Sequence, residues 1–280
     1  MTVGSLVRGA ARHLRERAGA ACRLEAELLT AHFLGIERPA LYVRWEEPVA
    51  PEVAQATALA VDRRLAGEPL AYLLGKRDFM GLDFAVSPAV LVPRPETELL
   101  VETALGLLAT AGPSPRAADV GTGSGAIAVS LAVLHPRLRV LALDLSPGAL
   151  AVALTNAARH GVARRVAFRR TDLLAGVEGP FDLVAANLPY IPTGEIDLLP
   201  VEVRREPRLA LDGGHDGLEL YRRLVPQAER VLPPGGWLLA EIAPSQAAPF
   251  LELLAPPLWS ARVERDWAGH PRLVAARRAG

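Results

Sequence analysis

Cysteine is nearly missing from this chain of 280 residues, with Cys22 standing alone. A single thiol excludes an internal disulfide and any metal site built from several cysteines, and it fits a reducing compartment. The six histidines show no ligand spacing, so no residue is assigned to a metal. Long apolar runs are also lacking: stretches such as Ala149 to Leu154 fall far short of the roughly 20 residues that span a bilayer, so no membrane association is expected. The N-terminus carries arginines without the apolar core and small-residue cleavage site of a signal peptide, which makes the cytoplasm the expected location. Neither sign of charge dominates. With 31 basic and 31 acidic residues the formal charge is +0, so no global field draws nucleic acid to the surface. Lysine is scarce too, Lys76 being the only one, a bias that reflects coding composition rather than function.

What is present is an ordinary globular composition, 50% hydrophobic and 22% charged, enough for one large domain or a large one and a small one. Residues 1–75 are rich in Ala, Leu and Arg and carry helical periods at Leu24, Leu28, Leu29, Ala31 and His32, then at Val53, Ala56, Ala60, Val61 and Leu65. Pro48 and Pro51 divide them, and a small helical bundle is expected. A connector over 76–92 turns strand-like around Met80-Gly81-Leu82-Asp83, the pattern of a β-hairpin. The third segment, 93–280, opens with a helix start at Pro93-Arg94-Pro95-Glu96-Thr97-Glu98. Apolar strands follow at 117–120, 140–143, 166–168, 181–186 and 237–242, separated by mostly helical stretches. That rhythm predicts an α/β fold with a parallel sheet covered on both faces. Strand candidates at 261–265 and 272–276 flank Gly269-His270-Pro271 and predict a closing antiparallel hairpin.

A glycine loop, Asp119-Val120-Gly121-Thr122-Gly123-Ser124-Gly125, joins the first of these strands to the helical run that starts at Ala126. Glycine lets the backbone turn sharply and approach a ligand without interference from a Cβ. With Ala126 the loop also matches a dinucleotide fingerprint, and Asp144 lies about twenty residues on, where a carboxylate can hold ribose hydroxyls. A nicotinamide enzyme therefore competes at this point. Asp119 tilts the choice toward S-adenosylmethionine, which presents an ammonium and a sulfonium instead of a pyrophosphate.

Asn187-Leu188-Pro189-Tyr190 follows the strand Phe181 to Ala186 and adds a chemistry. The nitrogen of an amide or aromatic amine is a poor nucleophile because its lone pair is delocalised. Two acceptors that bind both N–H groups can turn that lone pair toward a methyl donor. The Asn187 side-chain oxygen can accept one hydrogen and the Leu188 carbonyl the other, while Pro189 stiffens the turn and Tyr190 offers a flat face. Methyl transfer is then driven mainly by positioning and electrostatic preorganisation.

With these residues in place the chain resembles the HemK/PrmC family, the protein-(glutamine-N5) methyltransferases of class I peptide chain release factors. The resemblance spans nearly the whole sequence. It rests on Glu25-Ala26-Glu27-Leu28-Leu29, Gly67-Glu68-Pro69-Leu70-Ala71-Tyr72-Leu73-Leu74-Gly75, Gly81-Leu82-Asp83-Phe84 and the Pro93 to Glu98 run. The glycine loop, Asp144, the Asn-x-Pro-Tyr and Glu206-Pro207-Arg208-Leu209-Ala210-Leu211-Asp212-Gly213-Gly214 complete it. It implies a Rossmann-like S-adenosylmethionine-dependent methyltransferase sheet of seven strands with the last antiparallel, and an N-terminal helical domain that helps hold the protein substrate. It also implies the reaction: methylation of the glutamine amide in the release factor's Gly-Gly-Gln loop, leaving S-adenosylhomocysteine.

By this reading Asp119, Gly121, Thr122, Gly123, Ser124, Gly125, Asp144 and Asn187 bind the cofactor, and Asn187, Leu188, Pro189 and Tyr190 bind substrate and carry the catalysis. The family's usual tetrapeptide has proline where this chain has Leu188; the departure is expected to be tolerated, since the position contributes its carbonyl, while loosening the turn. The aromatic familiar from the family's adenine pocket is also absent. The corresponding site reads Thr171-Asp172-Leu173-Leu174, which makes Asp172 and Leu173 the expected adenine contacts. Glu96 and Glu98 read as helix-N-terminal charges in a run that borders the pocket. Asp212-Gly213 reads as a turn, and the preceding loop is long enough to be a lid. Arg164, Arg165, Arg169 and Arg170 read as a solvated face. An N6-adenine nucleic-acid methyltransferase would use the same tetrapeptide logic and stands as the alternative; no direct nucleic-acid partner is expected.

Overall fold

Strands buried on both faces show no alternation of apolar and polar residues, because every side chain needs an apolar neighbour. Leu183, Val184, Ala185 and Ala186 illustrate this: all four are fully buried, and they alternate between two separate cores. The computed structural model describes the backbone of residues 1–280 and the side chains of all but Glu16 and Arg17. The chain forms two units, Met1–Lys76 with Pro200–Arg205, and Arg77–Leu199 with Glu206–Gly280.

The first unit is helical. It contains α1 (Val3–Ala18), α2 (Cys22–Leu34), α3 (Ala40–Val43), α4 (Pro51–Leu65) and α5 (Leu70–Leu74), joined by α9 (Val201–Arg204) from the returning segment. Val3, Val7, Leu14, Leu29, Leu41 and Val61 form its core. The two glutamates of Glu25-Ala26-Glu27 act as buried crosslinks. Glu25 accepts two hydrogen bonds from Arg64, at 2.8 and 2.9 Å, and Arg64 also pairs with Glu202 at 2.8 Å, which ties the returning segment down. Glu27 accepts from Arg23 (2.9 Å), Arg38 (2.7 Å) and the Tyr42 hydroxyl (2.7 Å). Burial pushes the Glu27 carboxyl up, but these donors outweigh it and hold the group below the ordinary value.

The second unit begins with a two-stranded hairpin, β1 (Lys76–Phe79, whose first residue groups with the other unit) and β2 (Leu82–Ala85). Met80 and Gly81 both take positive φ, +54° and +69°, as a two-residue type I′ turn requires. The hairpin is part of the core rather than a free connector: Phe79 and Phe84 are buried, and Asn156 bonds both the N–H (2.7 Å) and the carbonyl (3.0 Å) of Ala85.

The large sheet comprises β3 (Arg116–Val120), β4 (Arg139–Asp144), β5 (Val166–Arg170), β6 (Leu183–Ala186), β7 (Trp237–Glu241), β8 (Trp259–Arg265) and β9 (Pro271–Arg278). Their order is β5-β4-β3-β6-β7-β9-β8, and only β9 runs against the others. The seven strands, the antiparallel last strand and the closing hairpin agree with the sequence expectation. Helices α6 (Glu98–Leu108), α7 (Ala126–Leu134) and α8 (Pro147–Arg159) contribute to the core on one face. On the other face are α10 (Glu219–Val231) and α11 (Ala247–Glu252). Among the described residues no helix is long and apolar enough to cross a membrane.

Two arginines of the expected solvated patch have work within the fold. Arg165 donates to the carbonyls of Ala132 in the last turn of α7 and of His135 and Leu138 after it, and Arg170 donates to that of Leu145 at 3.1 Å. On α10, Tyr221 is fully buried. Its hydroxyl donates to the Glu241 carbonyl (2.5 Å) and accepts from the Leu188 N–H (3.2 Å), tying the end of β6 to the end of β7. Tyr221→Phe would leave two buried backbone groups unpaired. It is expected to destabilise the protein by about 1–3 kcal/mol, read as a lower denaturant midpoint with an unchanged slope.

Candidate active site

Register decides what meets at the carboxyl edge of the sheet. Val120 pairs with Leu143 on one side and with Ala186 on the other, and Ala186 pairs with Ala240. The next residue of each strand is therefore Gly121, Asp144, Asn187 and Glu241, four neighbours in a row. The chain order reverses between β3 and β6, and in open α/β sheets the crevice beyond that point is where ligands bind.

The glycine loop is pinned before it can meet any ligand. The N–H groups of Gly121 and Thr122 both donate to the Leu143 carbonyl, at 2.8 and 2.9 Å, and the Gly123 N–H donates to Asp144 Oδ2 at 2.9 Å. Gly121, Gly123 and Gly125 all lie at positive φ. At Gly125 a Cβ would also fall 3.0 Å from the Ala153 Cβ, so this glycine serves close packing against α8. Asp144 accepts from Gly123 on one oxygen and from Ser146 N–H (2.8 Å) on the other, so each oxygen keeps a further lone pair. Burial pushes its carboxyl up, and the backbone donors partly offset this.

The Asn187–Tyr190 turn is clasped by two segments. Glu206 accepts from the Val92 N–H (3.0 Å) and from Arg94 (2.5 Å), linking the Pro93 to Glu98 run to the Glu206 to Gly214 run. Ile191 and Asp212 form a β-bridge, with Ile191 N–H donating to Leu211 and Gly213 N–H donating back to Ile191. Asp212-Gly213 thus closes the base of the 191–212 loop. A Cβ on Gly213 would sit 2.6 Å from the Pro189 carbonyl oxygen, and one on Gly217 would sit 2.1 Å from that of Tyr190. Only glycine permits the approach.

A cavity opens between these parts. Gly121, Thr122, Gly123, Ser124, Asp144, Asp172, Leu173, Asn187, Leu188 and Pro189 all line it, as do Arg94 and Thr97. Three residues of the expected cofactor-binding and catalytic set do not: Gly125, Asp119 and Tyr190. Asp119 lies beneath the loop, fully buried, where its Oδ2 accepts from the Thr122 hydroxyl (2.6 Å) and the Ala128 N–H (3.0 Å), while Oδ1 has no partner among the described residues. Tyr190 turns its hydroxyl to Glu241 Oε1 (3.4 Å), and burial keeps it protonated far above the ordinary phenol range. Leu173 adopts φ +53°, a left-handed conformation rare for a branched side chain. Asp172 pairs with Arg223 on the surface side. Glu98 accepts from the Met80 N–H (2.7 Å) and so supports the hairpin. Sequence reasoning carried Thr97 and Glu206 only inside longer runs, without a role of their own, and missed Glu241. Thr97 Oγ1 accepts from Asn187 Nδ2 at 3.0 Å, and Glu241 is 1% exposed. The one available signal was a carboxylate ending the otherwise apolar strand β7.

This donor set suits a nucleoside ligand. It offers apolar walls from Val90, Ile127, Leu145 and Leu220, a carboxylate with spare acceptor capacity, and a glycine-built approach. Fold and cavity together define an S-adenosylmethionine-dependent methyltransferase. Comparison with known proteins narrows the class. Residues 5–75 match the PrmC N-terminal domain and residues 95–199 the methyltransferase small domain. The chain is 49% identical over 260 residues to a release factor glutamine methyltransferase of Moorella thermoacetica, covering 91% of each chain. It is 43% identical to that of Bradyrhizobium diazoefficiens, over 99% of this chain and 95% of the relative. Among solved structures, a ribosomal protein L11 methylase from Lactobacillus delbrueckii subsp. bulgaricus matches 67% of this chain and 81% of its own, with a TM-score of 0.50 at 26% identity. A Pyrococcus furiosus methyltransferase matches 78% of this chain and 97% of its own, with a TM-score of 0.53 at 20% identity, and so shares the fold. The chain belongs to the release factor glutamine methyltransferase family.

Burial raises the Asp119 carboxyl to about 7, against the Thr122 and Ala128 hydrogen bonds that favour its charge. A raised carboxylate means that the folded state binds the proton more tightly than the unfolded state. The associated stability is full below the ordinary carboxylate value and is lost as pH rises through about 7. Asp119→Asn is expected to flatten the fall in melting temperature between pH 5 and pH 8. An unchanged slope would show that Asp119 is ionised throughout.

Proposed function

We propose that the enzyme methylates the side-chain amide nitrogen of the glutamine in the Gly-Gly-Gln loop of class I release factors and so modulates translation termination. The observation that carries this reading is Asn187 held on the cavity wall with its Nδ2 committed to Thr97, which leaves Oδ1 as an acceptor. The relatives' shared name supports a release factor as the substrate.

Gly121, Gly123 and Asp144 would hold S-adenosylmethionine, with Asp144 accepting from the ribose hydroxyls and Asp172 and Leu173 beside the adenine. Bound there, the cofactor supplies an electrophilic methyl on a sulfonium. The chain's own part is to present the nucleophile. Asn187 Oδ1 accepts one N–H of the glutamine amide and the Leu188 carbonyl accepts the other, which turns the nitrogen lone pair toward the methyl group. The two acceptors become stronger partners as positive charge develops on nitrogen, so they stabilise the transition state more than the ground state. The proton passes to solvent water after that charge has formed, so no side-chain base is required. Tyr190, away from the cavity wall, supports the turn rather than stacking on the substrate.

Mass spectrometry of a class I release factor after incubation with enzyme and S-adenosylmethionine is expected to show one added methyl on the Gly-Gly-Gln glutamine. An unmodified factor alongside methylated adenine in added nucleic acid would overturn the assignment. Asn187→Ala is expected to lower turnover about 100- to 1,000-fold while leaving cofactor affinity nearly intact. Asp144→Ala is expected to do the reverse, weakening cofactor binding by calorimetry about 10- to 100-fold, as for hydrogen bonds to a charged group.

The helical unit would serve to hold the protein substrate. Deleting residues 1–75 is then expected to spare cofactor affinity and to impair methylation of the whole release factor more than that of a short Gly-Gly-Gln peptide. Equal losses on the two substrates would make the unit a structural support.

A further inference from the structure

We propose that Thr97 and Glu241 form a positioning relay that fixes which end of the Asn187 amide faces the cavity. The inference deepens the reading of Asn187 given above, because an amide turned end for end would offer the substrate a donor where an acceptor is needed.

The geometry begins with register. Asn187 and Glu241 each stand one residue beyond the paired Ala186 and Ala240, so they are neighbours on parallel strands. By alternation both continue the face that carries Ala185 and Leu239, the face on which α6 packs. Thr97 directly precedes α6 and is itself buried. Asn187 Nδ2 donates to Thr97 Oγ1 at 3.0 Å. The Thr97 hydroxyl in turn favours the charged form of the Glu241 carboxyl.

A threonine hydroxyl has one proton, so its partners decide where that proton goes. An ionised Glu241 is an acceptor only. It draws the Thr97 proton to itself and leaves a hydroxyl lone pair for Asn187 Nδ2, and Oδ1 then faces the cavity. A protonated Glu241 can donate to Thr97 instead, which frees the threonine proton for Asn187 Oδ1. The preference between the two amide orientations is then lost. The relay is built where such a switch matters: Glu241 is 1% exposed, and among the described residues its Oε2 has no hydrogen-bond partner.

The other groups around Glu241 set the balance. The Tyr190 hydroxyl meets Oε1 at 3.4 Å, Arg272 of β9 favours the charge and Glu96 opposes it. Tyr221 of α10 meets Glu241 at its backbone carbonyl rather than at its carboxylate. Burial outweighs the donors and Arg272 and raises the carboxyl to about 7. The ionised form is the competent one, so transfer declines as pH falls through that value.

The test has an arm that needs no substrate. In nitrogen-15 spectra the Asn187 side-chain amide, assigned by its loss in Asn187→Ala, is expected to shift with a midpoint near pH 7 in the wild-type protein. That titration should vanish in Glu241→Gln and in Thr97→Val, and return in Thr97→Ser. A wild-type resonance that does not titrate, or one that still titrates in Glu241→Gln, overturns the relay. In the kinetic arm, at saturating S-adenosylmethionine and release factor, wild-type kcat should fall on the acid side of about pH 7, and Glu241→Gln should lack that limb. Thr97→Val should lose about tenfold or more in kcat with cofactor affinity unchanged, and Thr97→Ser should recover most of it. Thr97→Ser no better than Thr97→Val overturns the proposal. A titrating amide in an enzyme that methylates no release factor upholds the relay and removes the substrate assignment alone.

Discussion

Parallel pairing of β6 with β3 on one side and β7 on the other is what brings the chemistry of this chain together. Backbone hydrogen bonds fix the register so that Gly121, Asn187 and Glu241, drawn from strands about sixty residues apart in sequence, end side by side. A slip of one residue would turn every side chain to the opposite face. It would exchange the core of α6 and α7 for that of α10 and would carry Asn187 away from Thr97. The apolar strands resist this because both of their faces are buried, with Ala185 and Leu239 on one side and Ala186 and Ala240 on the other. Packing thus holds the hydrogen-bonding geometry on which the cavity depends.

Buried carboxylates are the second constraint. Asp119, Glu206 and Glu241 are each taken out of water, and each has its pKa raised by that burial. They share a use: each joins backbone or side chains that distant parts of the sequence supply. Asp119 gathers the glycine loop and the first turn of α7. Glu206 gathers Val92 and Arg94, and Glu241 lies at the centre of Thr97, Tyr190 and Arg272. An unpaired buried charge is expensive, so these carboxylates are tolerated only where the loops that satisfy them are in place. The sites at which the loops converge are thereby tied to folding.

The sheet was legible in the sequence because strands buried on both faces make short apolar runs bounded by glycine, proline and charge, and because β8 and β9 flank a clear turn. The glycine loop and the place of Asn187 were legible because both are local: a sharp turn needs glycine, and Asn187 directly follows β6. Asp119 shows where local reading stopped. Its place two residues before Gly121 marked it as a ligand contact, yet its side chain faces Thr122 and Ala128 beneath the loop. Tyr190 repeats the lesson, since adjacency to Pro189 did not reveal that its hydroxyl turns to Glu241. The roles of Thr97, Glu206 and Glu241 were hidden for the same reason. Their partners lie 90 to 114 residues away in sequence for Thr97 and Glu206, and no spacing rule reaches across that distance.

Leu188 shows how a local departure can be absorbed by the surrounding fold. Proline at this position would stiffen the turn through its ring but would have no N–H to donate. Leucine restores that N–H, and the Tyr221 hydroxyl accepts it while donating to the Glu241 carbonyl. The leucine side chain is itself 3% exposed, and a Cβ on Gly121 would come within 3.0 Å of its Cδ2. Leucine here therefore packs against the glycine loop and raises the demand for glycine at 121. Rigidity that a ring would give covalently is supplied in this chain by a buried tyrosine on α10 and by contact with the loop. The backbone at residue 188 is thereby held by its neighbours on both sides.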